Sequence, residues 1–469
     1  MTSKRSWQAY PATYRAVAMK TIAGWLQAGE SGSVIGLPGA GKSNLLGLLS
    51  RRPEVMRQYL PADFGHLALI HVDLNNLPGN NLSTFFRVIL RSLDEAREQL
   101  NLIAEPLAPS IEIIYHKVEE KTDPFLAQSA LREALLLFQK QEIRLVLVLD
   151  PFDRFCATAP IQVLDNLRGL RDSFKDTLSY LIGLRHEVTY MRNPAELGEL
   201  FEIIDTHQCW LGPMEKDDAR WVISQVEEAL GRSFDESQVA ALIEVTGGHP
   251  ALLRAASQWL AQTVSMPDVN TWLDLLSSET SLQNRLNDLR QGLTGAEEAA
   301  LSVLQRAIMI RIAGERQESL RQIGQKYRDT LVGLQTKGVC QQTKNSWHIF
   351  SPLFAKFVVE MDGLSAGKIC YEPAAGCFFL GEQELSGLSE RDRRLLQSFL
   401  DKPRLVHTID DLIEAAWSDD DSGGVSNEAV QQAIRHLRKQ IEPNPAKPCY
   451  LITEHGTGYR FFPEGAPRG

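Results

Sequence analysis

Short apolar runs alternate with helix-type patterns through the first part of the chain. The apolar runs lie at residues 33–35, 67–73, 143–150 and 179–184. Segments 14–27 and 126–139 instead place apolar residues three or four positions apart, the spacing that puts them on one face of a helix. Apolar runs of strand length that alternate with helices are typical of a parallel sheet covered on both faces. We therefore predict an α/β fold for this part.

The pattern changes at residue 294. Thr294 and Glu297 have the spacing of a capping box, which opens a helix with an apolar face. A later helix is predicted over 320–335, and short apolar strands follow at 338–341 and 347–350. Helices followed by a two-strand ribbon predict a winged helix.

The last hundred or so residues repeat this kind of pattern. Small strands are expected at 369–371 and 377–380, and Ser389 has the position of a helix cap. A final helix over 426–441 buries an apolar stripe and leaves polar side chains on its other faces. A hairpin with glycines at its turn follows at 450–461. This segment predicts a second winged helix.

Composition and charge narrow the class of protein. Apolar residues make up 43% and charged residues 23%, as in ordinary globular proteins, and 469 residues suggest about three domains. The net charge of −10 excludes a basic nucleic-acid footprint over the whole chain, so any such site must be local. The six cysteines are scattered without a Cys-x-x-Cys pair, which favours a reducing compartment and argues against a zinc site.

The apolar runs also bear on location. No apolar signal core follows the first residues, and the longest runs have strand length, far short of the roughly 20 residues of a membrane span. We expect a cytoplasmic protein that does not enter a membrane.

A phosphate-binding motif, residues 36–43, lies between the first predicted strand and a helix. It fits G-x-x-x-x-G-K-[ST], and the strand–loop–helix context separates a P-loop from an accidental glycine-rich turn, which is the alternative. Glycines let successive N–H groups point at phosphate oxygens, and the following helix adds its positive end. Lys42 is expected to reach the β- and γ-phosphates of ATP, and Ser43 to hold Mg²⁺. The predicted nucleotide-binding residues of the loop are Gly36, Pro38, Gly39, Ala40, Gly41, Lys42, Ser43 and Asn44.

A second chemical signal is Asp150, at the end of the apolar run 143–150. Such a strand belongs in the middle of a parallel sheet, and its carboxyl end lies at the ligand-binding edge beside the P-loop. Asp150 is therefore expected to hold Mg²⁺, directly or through water. Many related ATPases place a water-orienting acid directly after this aspartate, but here the next residue is Pro151.

The nearest substitute for that acid is Asp153, whose alternative function is to cap a turn. Arg185 follows the apolar run 179–184 and is expected to point at the γ-phosphate and report its presence. The alternative for Arg185 is an ordinary surface ion pair. The predicted catalytic set is Asp150, Asp153 and Arg185, and slow ATP hydrolysis is expected.

Together these segments resemble the NTPase domains of STAND ATPases, signal-transducing switches of the AAA+ and origin-recognition-like clade. The resemblance covers roughly residues 10–290 and rests on the P-loop together with segments 150–153, 184–185, 193–197, 211–214 and 246–253. It implies a helical lid in which the proline of a G-x-P motif, Pro250, packs near the nucleotide base. It also implies that the winged helix after the lid more often packs on the ATPase than touches DNA. Asp153 is one methylene shorter than the glutamate of some relatives.

The final segment resembles the effector domain of OmpR/PhoB-type response regulators. Residues 433–439 and 456–460 carry this resemblance. It implies a recognition helix in the major groove of DNA and a wing near the phosphates. The DNA-binding residues so implied are Gln431, Gln432, Arg435, Arg438, Lys439, Thr453, His455, Tyr459 and Arg460. His455 stands where an arginine for the minor groove is usual. Residues 366–469 hold 12 basic and 16 acidic side chains, so one copy should bind DNA weakly.

The predicted fold is an α/β P-loop NTPase with a parallel sheet and a helical lid, followed by two winged-helix domains. The predicted boundaries are 1–212 for the NTPase domain, 213–290 for the lid, 291–365 for the first winged helix and 366–469 for the effector. We expect an ATP-binding switch that controls DNA binding and transcription, forms a homo-oligomer with ATP, and receives its signal from a protein partner. The alternative is a protein-interaction ATPase, of antiphage-defence or transposition type, whose terminal winged helix docks a protein.

Overall fold

The computed structural model divides the chain into two compact units, residues 1–355 and 356–469. The residues it describes are 7–62, 65–105, 107–198, 200–263, 267–343, 346–362, 369–372, 376–380, 383–417, 425–442, 445, 448–454, 456–463 and 465. No helix among these residues is long and apolar enough to cross a membrane.

A five-stranded parallel sheet forms the centre of the first unit. Its strands are β1 (Gly32–Ile35), β2 (His66–Asp73), β3 (Ile143–Asp150), β4 (Leu178–Leu184) and β5 (Gln208–Trp210). Their order is β2-β3-β4-β1-β5, and every neighbouring pair is parallel. In β3 only Arg144 is not fully buried, as expected for a strand covered on both faces. The predicted α/β sheet is confirmed.

Eleven helices accompany the sheet in the described part of this region. They are α1 (Ala16–Ala28), α2 (Lys42–Arg51), α3 (Pro53–Arg57), α4 (Leu82–Glu95), α5 (Arg97–Ile103), α6 (Leu107–His116), α7 (Pro124–Lys140), α8 (Asp153–Thr158), α9 (Ile161–Ser173), α10 (Pro194–Leu197) and α11 (Leu200–Asp205). The helix predicted over 126–139 is α7, which begins earlier because the Asp123 carboxylate caps it by accepting from the N–H groups of Phe125 and Leu126. A continuous hydrophobic core joins helices α4 to α11 to the sheet.

The helical lid follows β5. It contains α12 (Lys216–Leu230), α13 (Glu236–Thr246), α14 (Pro250–Gln262), α15 (Trp272–Ser278) and α16 (Thr280–Gln291). Gly247 and Gly248 both have positive φ, and His249 precedes Pro250 at the first position of α14. These residues turn the chain sharply between α13 and α14, because glycine adopts left-handed backbone conformations at little cost.

The linking winged helix, as we call the next domain, lies in the same compact unit. It contains α17 (Gly295–Ile308), α18 (Ala313–Lys326), α19 (Arg328–Thr336), β6 (Cys340–Gln342) and β7 (Trp347–Ile349). The predicted capping box is present, because Thr294 and Glu297 each accept a hydrogen bond from the other's backbone N–H. The domain also contacts the lid, since the Ser351 hydroxyl donates to the Val245 carbonyl at 2.8 Å. Helix α20 (Pro352–Asp362) spans the boundary between the two units.

The second unit contains the effector winged helix. Its elements are β8 (Ile369–Glu372), β9 (Cys377–Leu380), β10 (Gln383–Glu384), α21 (Glu390–Asp401), β11 (Val406–His407), α22 (Ile409–Ala416), α23 (Asn427–Ile441), β12 (Leu451–Glu454) and β13 (Gly458–Phe461). The two small strands, the Ser389 cap, the final helix and the hairpin predicted for this segment are all confirmed. Strand β11 is not foreseen by the sequence pattern, because its two residues become a strand only by pairing with β13.

Candidate functional site

The P-loop connects β1 to α2 and curls tightly around the start of the helix. Gly39 and Gly41 have φ values of 79° and 92°, in the left-handed region that favours glycine. Helix α2 begins at Lys42, so its first N–H groups face the loop. A helix N-terminus of this kind attracts phosphate, because its N–H groups are unpaired and its dipole is positive there.

Lys42 lies buried behind this loop. Its Nζ donates to the Gly36 carbonyl at 3.0 Å. Burial lowers the pKa of Lys42, and the charges of Asp153 and Asp150 oppose that shift. The ammonium group is thus incompletely compensated within the protein, and a phosphate in the loop would supply the missing negative charge.

Asp150 occupies the carboxyl end of β3 and is only 4% exposed. Its Oδ1 has no hydrogen-bond partner in the part of the chain that the structure describes. Gly183 on β4 makes room for this carboxylate, because a Cβ there would lie 2.2 Å from Oδ1 and 2.8 Å from a methyl group of Leu46. Gly183 was not predicted as a site residue, and its signal in the sequence is a glycine inside an otherwise apolar strand.

We expect Gly183→Ala to displace the Asp150 carboxylate. The variant should be less stable by about 1–3 kcal/mol, as for other overpacked core positions. Its affinity for ATP should fall more in the presence of Mg²⁺ than in its absence. Thermal unfolding and titration with and without Mg²⁺ measure both effects. Gly169→Ala is the matched control, because a Cβ at this exposed position in α9 meets nothing within 4 Å. Equal Mg²⁺ dependence in both variants would contradict the prediction.

Asp153 and Arg185 meet at the same edge of the sheet. Asp153 opens α8, and its Oδ1 accepts from the backbone N–H of Arg185 at 2.6 Å. Its Oδ2 has no hydrogen-bond partner among the described residues. One oxygen therefore fixes the chain after β4, while the other is buried without a hydrogen bond.

A cavity of about 880 Å³ brings the predicted residues together. Of these residues it is lined by Pro38, Gly39, Gly41, Lys42, Ser43, Asn44, Asp150, Asp153, Arg185 and Pro250. Gly36 and Ala40 do not line it: the Gly36 carbonyl accepts from Lys42, and the Ala40 carbonyl accepts from Arg15 at 2.9 Å. These two residues shape the loop through their backbone.

The lid closes one side of the cavity through the first turn of α14. A Cβ on Gly39 would lie 2.6 Å from the Ala251 Cβ, and one on Gly41 would lie 3.6 Å from the Pro250 Cγ. The lid therefore packs directly on the P-loop glycines. His249, beside this contact, is fully buried with both ring nitrogens unpartnered, and burial lowers the pKa of His249 to about 3, so its ring is neutral.

Arg15 is a buried organiser of the loop. It has a φ of 56°, and its guanidinium donates to the carbonyls of Ala40, Gly212 and Pro213 at 2.9–3.0 Å. Its backbone N–H donates to the Asp218 carboxylate of α12 at 3.0 Å. One residue thus ties the P-loop to β5 and to the lid. No local pattern in the sequence shows these partners, which lie up to 203 residues away.

An aromatic cluster forms the cavity wall away from Asp150. The ring centroids of Tyr10 and Trp221 lie 4.4 Å apart, those of Tyr14 and Trp221 5.5 Å, and those of Trp7 and Tyr10 5.6 Å. Aromatic side chains that line the same cavity as a P-loop suit a purine base. Arg254 and Arg285 of the lid also line the cavity, and nothing in the local sequence indicated them.

The side-chain oxygens of Ser43 and Asp150 suit a magnesium ion that the protein and a nucleotide would hold together. No group of three or more described His, Cys, Asp or Glu side chains could bind a metal ion by itself. Mg²⁺ at a P-loop does not need one, because it takes few protein ligands and completes its shell with phosphate and water. Ser43 and the unpartnered Oδ1 of Asp150 supply the ligands that this arrangement requires.

In the effector, helix α23 presents a polar face to solvent. Gln431, Gln432, Arg435 and Lys439 are exposed on it. Arg438 is different, because it is partly buried and donates twice to the Leu451 carbonyl, at 2.6 and 3.0 Å, and once to the Thr453 hydroxyl, at 2.9 Å.

The hairpin residues are also largely engaged within the domain. Tyr459 is buried, and the Arg438 guanidinium lies 5.9 Å from its ring centroid. Arg460 forms an ion pair with Glu454 at 2.9 Å. His455 lies outside the described residues. The implied DNA-binding set thus divides into exposed helix residues, residues that hold α23 to the hairpin, and Arg460, which pairs within the hairpin.

The sheet order, the P-loop and the carboxylate at the end of β3 define a P-loop NTPase, joined here to a winged-helix effector. Two family models match the chain: Novel STAND NTPase 1 over residues 15–331 and the C-terminal domain of transcriptional regulatory proteins over 382–461. The chain belongs to the Novel STAND NTPase 1 family, and it carries an OmpR/PhoB-type domain at its C-terminal end.

Similar curated proteins match the effector segment. The alkaline phosphatase synthesis transcriptional regulatory protein SphR of Synechococcus elongatus is 42% identical over 81 residues, which are 17% of this chain and 30% of SphR. The transcriptional regulatory protein YvrH of Bacillus subtilis is 40% identical over 70 residues, 15% of this chain and 29% of YvrH. The chain thus spans about a third or less of the length of these relatives.

Solved structures give weaker similarities. The Walker-type ATPase PABY2304 of Pyrococcus abyssi is 13% identical, covering 75% of this chain and 99% of that one at a TM-score of 0.43. The DNA-binding domain of Klebsiella pneumoniae RstA, in complex with the RstA box, is 24% identical, covering 21% and 93% at a TM-score of 0.18. Neither similarity is close enough to carry an argument about this chain.

Proposed function

We propose that the protein is an ATP-dependent switch that regulates transcription through its C-terminal winged helix. The observation that carries the proposal is the cavity beside the P-loop, where Lys42 and the unpartnered oxygens of Asp150 and Asp153 converge. The same chain carries an effector of the kind found in transcriptional regulators. Nucleotide state would then control exposure or assembly of the effector.

The cavity residues have separate functions in nucleotide binding and hydrolysis. Lys42 contacts the β- and γ-phosphates, and Ser43 and Asp150 hold Mg²⁺, which neutralises phosphate charge when bound. The free oxygen of Asp153 accepts a hydrogen bond from the attacking water and orients it. Arg185 contacts the γ-phosphate. Because Asp153 is shorter than glutamate and also holds the Arg185 N–H, turnover is slow.

The base end of the cavity favours ATP through stacking. Tyr10 and Trp221 offer flat faces to a purine, and Pro250 lies beside the loop to close the site over it. Binding thereby connects the N-terminal segment, the P-loop and the lid, so the bound nucleotide stabilises their closed packing.

The effector would read DNA with the exposed face of α23. Glutamine suits adenine and arginine suits guanine in the major groove, so Gln431, Gln432 and Arg435 are suited to base contacts. Lys439 is placed for phosphate. Arg438 serves this surface indirectly by fixing the hairpin to the helix.

A second candidate function is docking of a protein partner. The net charge of −4 over residues 366–469 favours it, as does the use of Arg438 and Arg460 in contacts within the domain.

Under the DNA-binding proposal, assembly of several copies with ATP offsets the weak affinity of one copy through avidity.

DNA selected from a random pool by the full chain, followed by fluorescence anisotropy with and without ATP, tests the proposal. We expect ATP to increase apparent affinity. The log–log salt slope per domain should stay shallow, because each phosphate contact adds only about 0.9. If the pool yields no preferred DNA under any nucleotide condition, the protein-docking function is favoured instead.

The two arginines of α23 should respond differently to substitution. Arg435→Ala should weaken DNA binding by about 1–3 kcal/mol, the value of a base contact, without changing the melting temperature. Arg438→Ala should lower the melting temperature as well, because two hydrogen bonds to Leu451 and one to Thr453 are lost. Parallel anisotropy and thermal melts separate these effects. An Arg438→Ala domain as stable as the parent would contradict the assignment.

A further inference from the structure

Lys337 is a buried cation in the linking winged helix, between α19 and β6. Its side chain is only 1% exposed. The ammonium nitrogen lies 2.8 Å from Oε1 of Glu297, which belongs to the same domain, and 3.7 Å from Oε2 of Glu187, which belongs to the NTPase region. This lysine therefore joins carboxylates from both sides of a domain contact.

The NTPase region also supplies the aromatic surroundings of this cation. The ring centroids of Tyr190 and Trp210 lie 5.4 and 5.6 Å from Nζ. Both distances fall within the range in which a cation is attracted to an aromatic face. Three of the four groups around Lys337 thus come from the NTPase region: Glu187 and Tyr190 follow β4, and Trp210 is the last residue of β5.

The backbones at this contact approach each other too closely for a side chain. A Cβ on Gly338, which has a φ of 72°, would lie 2.9 Å from both the Gly212 Cα and the Pro213 Cδ. Glycine is needed at this position both for its conformation and for the close approach. Lys337 directly precedes Gly338, so the close packing of Gly338 against Gly212 and Pro213 fixes the position from which the ammonium group extends.

The acceptor Glu187 connects this contact to the nucleotide cavity. It lies two residues after Arg185, whose backbone N–H is held by the Asp153 carboxylate at 2.6 Å. Between Glu187 and Tyr190 the chain forms a single turn, closed by the Tyr190 N–H donating to the Glu187 carbonyl at 3.1 Å. Val188 within that turn is buried. A short, packed segment thus carries Arg185 at one end and the Lys337 contacts at the other.

The energetics of a buried ammonium group favour one placement of this segment. Burying a cation is costly unless charged and polar partners surround it, so moving Glu187 and Tyr190 away would leave Lys337 with one carboxylate. The segment 185–190 is therefore held from both ends, by Asp153 inside the cavity and by Lys337 outside it.

We propose that Lys337 is a positioning residue for the γ-phosphate contact of Arg185, contributed to the nucleotide site by the linking winged helix. The inference rests on the proposed function, in which Arg185 contacts the γ-phosphate. Because coupling between two sites is reciprocal, a γ-phosphate bound at Arg185 also favours the docked position of the winged helix. ATP and ADP then differ in how firmly that domain is held.

The test compares the affinities of the full chain for ADP and for a non-hydrolysable ATP analogue by calorimetry. The unmodified chain should prefer the analogue by about tenfold, as for a charge-assisted contact. Glu187→Gln should reduce this preference to about twofold or less, as Arg185→Ala does, with the ADP affinity unchanged. Lys337→Arg, which keeps the charge, should retain the preference.

The pairing of variants separates positioning from general structural damage. Glu187→Gln combined with Arg185→Ala should lose no more preference than Arg185→Ala alone, because both act through one contact. Glu196→Gln, which breaks an unrelated ion pair with Arg192, is the matched control and should leave the preference intact. An unchanged preference in Glu187→Gln, or additive losses in the double variant, overturns the inference. If the unmodified chain binds neither nucleotide, the proposed function fails and the inference with it.

Discussion

Replacing Lys42 by alanine should abolish most of the affinity for ATP while leaving the fold intact. Among the described residues the ammonium group donates to the Gly36 carbonyl alone, so its main partner is expected to be phosphate. Losing a charge-assisted contact of this kind should weaken ATP binding by about 10- to 100-fold. Calorimetric titration of Lys42→Ala against the unmodified chain measures the change directly.

The direction in which Lys42→Ala changes the stability of the protein can be predicted. Burial lowers the pKa of Lys42, which means that folding disfavours its charged form. Removing the amine therefore relieves a cost, and the melting temperature without nucleotide should not fall appreciably. Lys20→Ala, at an exposed position of α1, serves as the matched control. Equal ATP affinity in Lys42→Ala and the parent would refute the P-loop assignment.

Asp153→Asn should reduce ATP turnover by at least about 100-fold, the lower range for loss of an acid–base group. The asparagine carbonyl can still accept the Arg185 N–H, so the turn after β4 keeps its geometry. What disappears is the negative charge of the oxygen that has no partner within the protein. The variant thus separates water activation from the structural contact of the same side chain.

Single-turnover phosphate release, measured beside ATP binding, checks this expectation. Binding should change little, because Lys42, Ser43 and Asp150 are untouched. Asp176→Asn, at an exposed turn before β4, controls for the loss of one charge near this strand. Turnover that survives in Asp153→Asn would place the water-activating group elsewhere in the cavity. The parent itself should turn over more slowly than about 1 s⁻¹, the lower end of the usual enzyme range.

The sequence predicted those features that depend on neighbours along the chain. The P-loop, the apolar strand that ends at Asp150, the Thr294 capping box and the C-terminal hairpin all lie where their patterns indicate. Each is specified within a few residues by backbone conformation, periodicity or side-chain capping. Local patterns of this kind are readable because the interacting groups are close in sequence.

Strands β5 and β11 show the limit of that reasoning. Gln208–Trp210 and Val406–His407 are too short to display a strand period, and each is a strand because it pairs with a partner far along the chain. The same limit applies to Arg438, whose position on a recognition-type helix suggests DNA contact. Only in the folded domain does the Arg438 guanidinium donate hydrogen bonds to Leu451 and Thr453.

By itself the sequence determined the class of each domain and the chemical groups of the nucleotide site, because these follow from local motifs. The tertiary structure alone decided how those groups are supported: Gly183 leaves space for Asp150, Arg15 ties the loop to the lid, and Lys337 reaches Glu187. These contacts join residues separated by 25 to 203 positions or placed in different domains. No local pattern can encode them, since a close approach or a buried ion pair exists only once both partners are folded.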